Sequence, residues 1–467
     1  MMHRLVELEA AAKSKTPFGD SRTTHAPPST DPRPKPRSRR RRSGKKSGGQ
    51  RGHAGHRLEP VAKPDHTVDH PVTTCPCGTD LRRQRCIEVV KHQVFDLPKI
   101  RLEVTEHRCE RKICPTCQRI STAQPPEHAR QPTQYGPGLA GWAVYLTIGH
   151  FVPVARTCAL IQTLTGSRPS QGWVLACQQR LSVRLDGFIV CVTDQLRRAP
   201  VVGCDETGIR FRGKRHWLHV CCTAMLTLLL VSRYRGSEGT RALGILGSVR
   251  TAIHDNYPSY FKFDCNHGLC NAHHQRELIY VKEELGQRWA GRMIRVLLDG
   301  KALKERYHPR GKPVPGHLIE NIKRRYRMAL QAGMTEIPPP LPRRSGQRGR
   351  IKRGKALCLL DRLRDREEGA LLFLEDPDVP WENNQSERDL RMAKAQQKVS
   401  GGFRTEAGAH VFARCRSYLD TMRKHDQDIM AGIMTAMDGK AWMPQAERAA
   451  ETGRDGTKLP HNVRQAG

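Results

Sequence analysis

Between residues 199 and 275 the chain alternates apolar, β-like runs with one helical stretch: VVGCDETGIRF, HWLHVCCTAMLTLLLVSRY, GTRALGILGSV and RTAIHDNYPSYF. Strands, then a helix, then a further strand predict a mixed α/β sheet. The first run carries two adjacent carboxylates, Asp205 and Glu206, inside an otherwise apolar strand. Successive strand side chains point to opposite faces, so only one of the two can join a shared site. The pattern alone does not say which.

The rest of the chain is less compact in composition. Its 467 residues suffice for two or three domains, but 37% apolar content is low for one globule, so parts of it are expected to be extended or unfolded. Lys and Arg number 80 against 46 Asp and Glu, a formal charge of +34, far beyond what solubility requires. A polyanionic partner accounts for it, and nucleic acid stands first. A membrane surface is the competing polyanion, but the longest apolar run, around VCCTAMLTLLLV, is about a dozen residues where ~20 are needed to span a bilayer. With no signal peptide or lipidation motif, the expected location is cytoplasmic.

Residues 1–60 hold RSRRRRSGKK among Pro, Gly and Ser, with no apolar periodicity. They read as a disordered basic arm in which Arg39, Arg40, Arg41 and Arg42 contact phosphates without sequence specificity; a solvated linker is the bland alternative. Residues 61–123 form a cysteine-bearing module. Cys114 and Cys117 are spaced as a zinc knuckle, and Cys75 with Cys77 supplies a CxC half that is one residue short, with Cys86, Cys109 and His107 as substitutes. The β-like stretch CIEVVKHQVFDLPKIRLEVTEH is expected to bridge the halves as a hairpin; unpaired reduced thiols are the alternative.

Residues 124–196 turn helical. Val154, Cys158, Ile161 and Thr165 recur at helical spacing, Gly166 falls where a C-terminal cap belongs, and Ser170 can cap the next helix. Short helices with tight turns suggest a helix-turn-helix or a simple helical core. Residues 276–375 are helical and basic, broken by IPPPLPRRSGQRGRIKRGK, and a further helix follows WENN.

Asp205, Asp255 in AIHDNYPSY and Glu387 in ENNQSERDL are each expected at an element end, facing one crevice. Hard oxygen ligands from separate elements suit magnesium, and two ions can clamp both oxygens of a phosphodiester displacement. Each residue also has a structural reading: a strand-end turn for Asp205, an Asx turn for Asp255, a capping box with Asn384 for Glu387. Glu387, Arg391 and Lys394 fall at i, i+4 and i+7, so one helix face offers a carboxylate flanked by cations that can meet phosphate.

Taken together, CDETG, HDNYPSY, CNAHHQREL and ENNQSERDLRMAKAQQKVSGGFRTEAGA resemble the catalytic core of bacterial transposases of insertion sequence family sixty-six. PPSTD, GGQRGHAGH, the cysteine segment and YGPGLAGWAVYLTIGHFVPVAR are similar to that family's N-terminal half, so the resemblance covers roughly residues 25–425. It implies a ribonuclease-H-like catalytic core at 197–275 and 376–425, with 276–375 as a helical basic insertion and 426–467 as a tail. It implies an Asp-Asp-Glu triad of Asp205, Asp255 and Glu387 holding magnesium or manganese, with Lys394 matching a lysine seven residues after the glutamate. The expected activity is cleavage at transposon ends and strand transfer into target DNA, by a homo-oligomer on paired ends, in the bacterial nucleoid, with small accessory proteins. Zinc would be held by Cys75, Cys77, Cys114 and Cys117.

CNHGLCNAHH raises a separate question, because Cys265, His267, Cys270 and His273 have spacings compatible with a second zinc site. So short a segment closes four ligands poorly, which favours a structural role for Cys270 and His273 beside the active site. Departures from the family pattern are the CxC half, KTPFGDSRTTHA before PPSTD, and Glu382 ahead of the paired asparagines. The competing readings are a non-catalytic DNA-binding regulator, a nuclease that cuts without joining, and an inactive transposase remnant.

Overall fold

A computed structural model describes residues 58–211, 213–310, 312–339 and 353–445. The basic arm with Arg39, Arg40, Arg41 and Arg42, and most of the Pro- and Arg-rich break, lie outside the described residues. The chain divides into two units, Met1–Pro98 and Lys99–Gly467.

In the first unit the described residues form turns rather than regular elements. A bridge from Thr74 to Asp80 closes the turn that carries Cys75 and Cys77. The side-chain amide of Gln93 clamps Val61, donating to its carbonyl and accepting from its N–H, both at 2.8 Å. The expected hairpin between the cysteine pairs is not found: residues 87–107 make no ladder. Ile87 and Val94 are 99% and 90% exposed. Apolar side chains here find no packed face among the described residues, and β-propensity without one does not make a strand.

The second unit begins with two short antiparallel strands, β1 (Arg111–Ile113) and β2 (Ile120–Thr122), flanking the Cys114–Cys117 turn. Four helices follow: α1 (Pro137–Val144), α2 (Val154–Thr165), α3 (Gln171–Arg184) and α4 (Asp186–Arg198). Cys158 and Ile161 bury one face of α2, which stops at Gly166 with φ 77°, a conformation that favours glycine. Ser170 caps α3 by accepting the Trp173 N–H at 3.1 Å.

The sheet has five strands in the order β5-β4-β3-β6-β7. β3 (Val201–Phe211), β4 (Lys214–Cys222) and β5 (Thr227–Ser232) form an antiparallel meander. A short helix, α5 (Ser237–Ala242), leads to β6 (Thr251–His254), and β7 (Asn266–Leu269) follows, both parallel to β3. β6 pairs with β3 only over Val201–Gly203, while β3 runs on to Phe211. From Cys204 onward, that edge of β3 has no ladder, only an isolated bridge from Phe211 to Phe403.

Residues beyond β7 build a second core. α6 (Asn271–Glu283), α7 (Arg288–Tyr307), α8 (Gly316–Glu336), α9 (Lys355–Asp365) and α10 (Glu367–Glu375) bury Trp289, Tyr326, Leu363 and Phe373 among themselves. Gly369 seats this layer on the sheet: a Cβ there would lie 2.6 Å from the His267 carbonyl oxygen. The chain then returns to the first core with α11 (Asn384–Ser400) and α12 (Glu406–Lys424). Ser417 and Thr421 of α12 accept the backbone N–H groups of Leu229 and Thr227 on β5. Within the segment expected to be a tail, Ile429–Met437 is a helix, α13, whose Ile433 and Ala436 are fully buried beside α1.

Candidate active site

Four motif segments converge at one end of the sheet. CDETG lies on β3, HDNYPSY starts at the end of β6, CNAHHQREL opens α6, and ENNQSERDL opens α11. Asn383 joins three of them. Its side-chain amide donates to the Cys204 carbonyl at 2.7 Å, its backbone N–H donates to Cys270 Sγ at 3.2 Å, and its Oδ1 accepts from the Ser386 hydroxyl at 2.7 Å. A close approach makes this possible: at Gly203 a Cβ would stand 2.5 Å from Ser386 Oγ and 2.6 Å from Asn383 Oδ1. Only glycine lets α11 rest on β3 here.

Asp205 is not at an element end. It lies inside β3, two residues past the last pairing with β6, so the loss of that neighbour opens space beside it. Asp255 does follow a strand end and does form the Asx turn, its Oδ1 accepting from the Tyr257 N–H at 3.2 Å. Asn256, next in the chain, has φ 72°. The expected capping box does not form: α11 is capped from Asn383, without a side-chain cap bond, and Glu387 reaches sideways. Arg276 Nη2 lies 3.3 and 3.4 Å from its two oxygens, and His273 Nε2 lies 3.5 Å away.

Electrostatics concentrate on Asp205. Burial raises its carboxyl to about 7, opposed by the Glu206 N–H that donates to it at 2.8 Å, and the charges of Asp255, Glu206 and Glu387 push it further up. None of the described basic groups forms an ion pair with Asp205 or Asp255. Glu206 is different: its buried carboxylate accepts from Tyr260 Oη at 2.6 Å and from Arg235 Nε at 2.9 Å. Arg235 also stacks over Tyr257 and Trp217. Glu206 is therefore neutralised in a built ion pair, and Asp205 is the carboxylate left without a cation.

Behind Asp255, His254 is fully buried. Its Nδ1 accepts from the Asn256 N–H at 3.2 Å and its Nε2 faces His267 Nδ1 at 3.1 Å, while His267 Nε2 faces the Phe263 carbonyl. One consistent set of tautomers satisfies all three contacts with both rings neutral, and burial holds His254 down at about 3.

Cys270, His273 and Glu387 place their ligand atoms within 4.8 Å of one another, the one such group of three among the described residues. The four-ligand cluster within CNHGLCNAHH is therefore not assembled; His267 is taken by His254, and Cys265 packs on the first core. Asp205, Asp255 and Glu387 share an electrostatic neighbourhood but do not form a group as tight as that one. The donor set nevertheless fits a divalent cation: three carboxylates raise the local negative charge, two of them have no cation partner, and the third is met by a guanidinium. Arg276 was not singled out from the sequence. It lies one turn along α6 from His273, in a stretch read as an insertion, and only the packed structure brings it to Glu387.

Lys394 donates to the Gly208 carbonyl at 2.6 Å, and Arg391 is exposed on the same helix. The cysteine turns are each knuckle-like. Cys77 is lowered to about 7 by its bond with the Thr79 hydroxyl, and Cys114 is lowered by the backbone N–H groups of Cys117 and Thr116. No helix among the described residues is long and apolar enough to cross a membrane.

Comparison with known proteins agrees with the motifs. No curated protein matches the chain. The family model described as "Transposase IS66 family" matches residues 132–411, which include every carboxylate discussed above and the whole five-stranded sheet. The chain belongs to the IS66 transposase family.

Proposed function

We propose that this chain is a metal-dependent DNA transposase that cleaves at transposon ends and joins the freed 3′ hydroxyls to target DNA, on a ribonuclease-H-like core. The observation that carries the proposal is the carboxylate of Asp205, which has no ion-pair partner among the described residues and is raised first by burial and then by the charges of Asp255, Glu206 and Glu387. The strand order, an antiparallel meander followed by two parallel strands, supports the fold reading. Asp205, Asp255 and Glu387 would hold magnesium or manganese, which supplies charge neutralisation and a more acidic attacking water or hydroxyl. The protein's own part is to bring these carboxylates from three elements to one place, with the helix of Glu387 fixed to the strand of Asp205 by Asn383. Arg391 and Lys394 would meet the phosphate backbone, and the arm containing Arg39–Arg42 would add affinity by counterion release. Zinc on the cysteine-bearing module and a multimer on paired ends complete the reading.

Asp205→Asn tests it. Magnesium-dependent cleavage and strand transfer from pre-cut ends should both vanish while DNA binding stays within about twofold. Retained cleavage overturns the assignment, and binding without strand transfer in the unmutated protein under any metal identifies a regulator or a remnant.

A further inference from the structure

Beyond the carboxylates, that edge of β3 leads into a groove of about 540 Å³ lined by Gly208, Ile209, Arg210, Arg215, Trp217, Lys394, Gln397 and Gly402. Three of these side chains are cations, and none is acidic. Arg210, Arg215 and Lys394 form no ion pair among the described residues. Lys394 is held below its usual range by burial and then by the charge of Arg215, so like charges are crowded without an anion between them. Gln397 adds a buried side-chain nitrogen with no hydrogen-bond partner. Gly208 pairs across the hairpin with Trp217, leaving the floor open where a side chain would stand.

We propose that this groove is a second DNA subsite, which holds the phosphodiester backbone of the strand that leads away from the scissile phosphate, with Arg210 and Arg215 on phosphates and Gln397 donating to the same strand. The inference rests on the transposase reading for the identity of the strand. Its chemistry is that of a polyanion on an uncompensated basic groove. Three to five residues separate Asp205 from the groove, roughly 10–17 Å of strand at 3.3 Å per residue. That span equals about three to five base steps at 3.4 Å. The contacts are to backbone, so they position DNA without reading its sequence.

The test is the salt dependence of DNA binding by the full chain, measured without metal on an end-bearing duplex by fluorescence anisotropy. Arg210→Ala/Arg215→Ala should lower the slope of log K against log salt by about 2, because each lost phosphate contact removes about 0.9. Arg210→Lys/Arg215→Lys should keep the slope, and the DNA-induced change in tryptophan emission should disappear in Trp217→Phe. An unchanged slope in the alanine variant, with thermal unfolding matching the parent, overturns the subsite. Because binding is read without catalysis, failure here leaves the Asp205→Asn result intact, and failure of that variant's test leaves the groove measurable.

Discussion

Asn383 donates its side-chain amide to the carbonyl of Cys204, one residue before Asp205. The helix that carries Glu387 is thus fastened to the strand that carries Asp205 by a buried bond at its start, with the Lys394 bond to the Gly208 carbonyl further along. The same residue's N–H reaches Cys270 at the start of α6, so one side chain and its backbone set the spacing of three motif segments.

Asn383→Ala should therefore damage activity more than stability. Losing the buried acceptor's partner costs about 1–3 kcal/mol, measurable by chemical denaturation. Strand cleavage should fall by at least tenfold with DNA affinity unchanged; a variant that unfolds but cleaves normally when folded would contradict the role.

Gly203→Ala probes the same contact from the strand side. Its Cβ would meet Ser386 and Asn383 at 2.5–2.6 Å, so α11 must move. Overpacking of this kind costs about 1–3 kcal/mol, and the magnesium requirement should rise because Glu387 is displaced. Ser386→Ala in the same chain should restore part of both, which a double-mutant cycle reads directly.

Arg276 competes with any cation for Glu387. Removing a positive charge beside a metal ligand should tighten metal binding, so Arg276→Ala should lower the magnesium concentration for half-maximal cleavage several-fold. A higher requirement would instead assign Arg276 to holding the carboxylate in place.

Asp205 also sets a pH dependence in the metal-free protein. Its folded value of about 7 lies above the ordinary 3.8, so the folded state holds the extra proton between those values. Stability from this group is full below pH 3.8, falls as pH rises toward 7, and stays low above it. Asp205→Asn should remove that loss and stabilise the apo protein at pH 8 by on the order of 1–3 kcal/mol, after allowance for solvent screening. Equal unfolding midpoints for parent and variant at pH 8 would refute it. Magnesium should narrow the gap in the parent alone.

Much of this candidate site is legible in the sequence. The motifs around Asp205, Asp255 and Glu387 are local strings, and the alternation of β3 correctly separated Asp205 from Glu206. What the strings lacked was packing. Nothing in CIEVVKHQVFDLPKIRLEVTEH says that its apolar residues find no face to cover, and Asp205 looked like a strand end because the residue after which β6 stops pairing leaves no mark in sequence. Arg276 and Asn383 were hidden for a related reason. Their partners lie 111 and 179 positions away, and an arginine or an asparagine in a helical context is ordinary until the fold closes.

The separation of the carboxylates along the chain has a consequence for the order of events during synthesis. Asp205 emerges 182 residues before Glu387, and between them comes the whole second core on which α6 and its Arg276 depend. At ribosomal speeds of about 5–20 residues per second, that is roughly ten to forty seconds in which the nascent chain has its basic N-terminus and no third carboxylate. If the proposed function holds, a growing copy would hold on to DNA well before it could cut it.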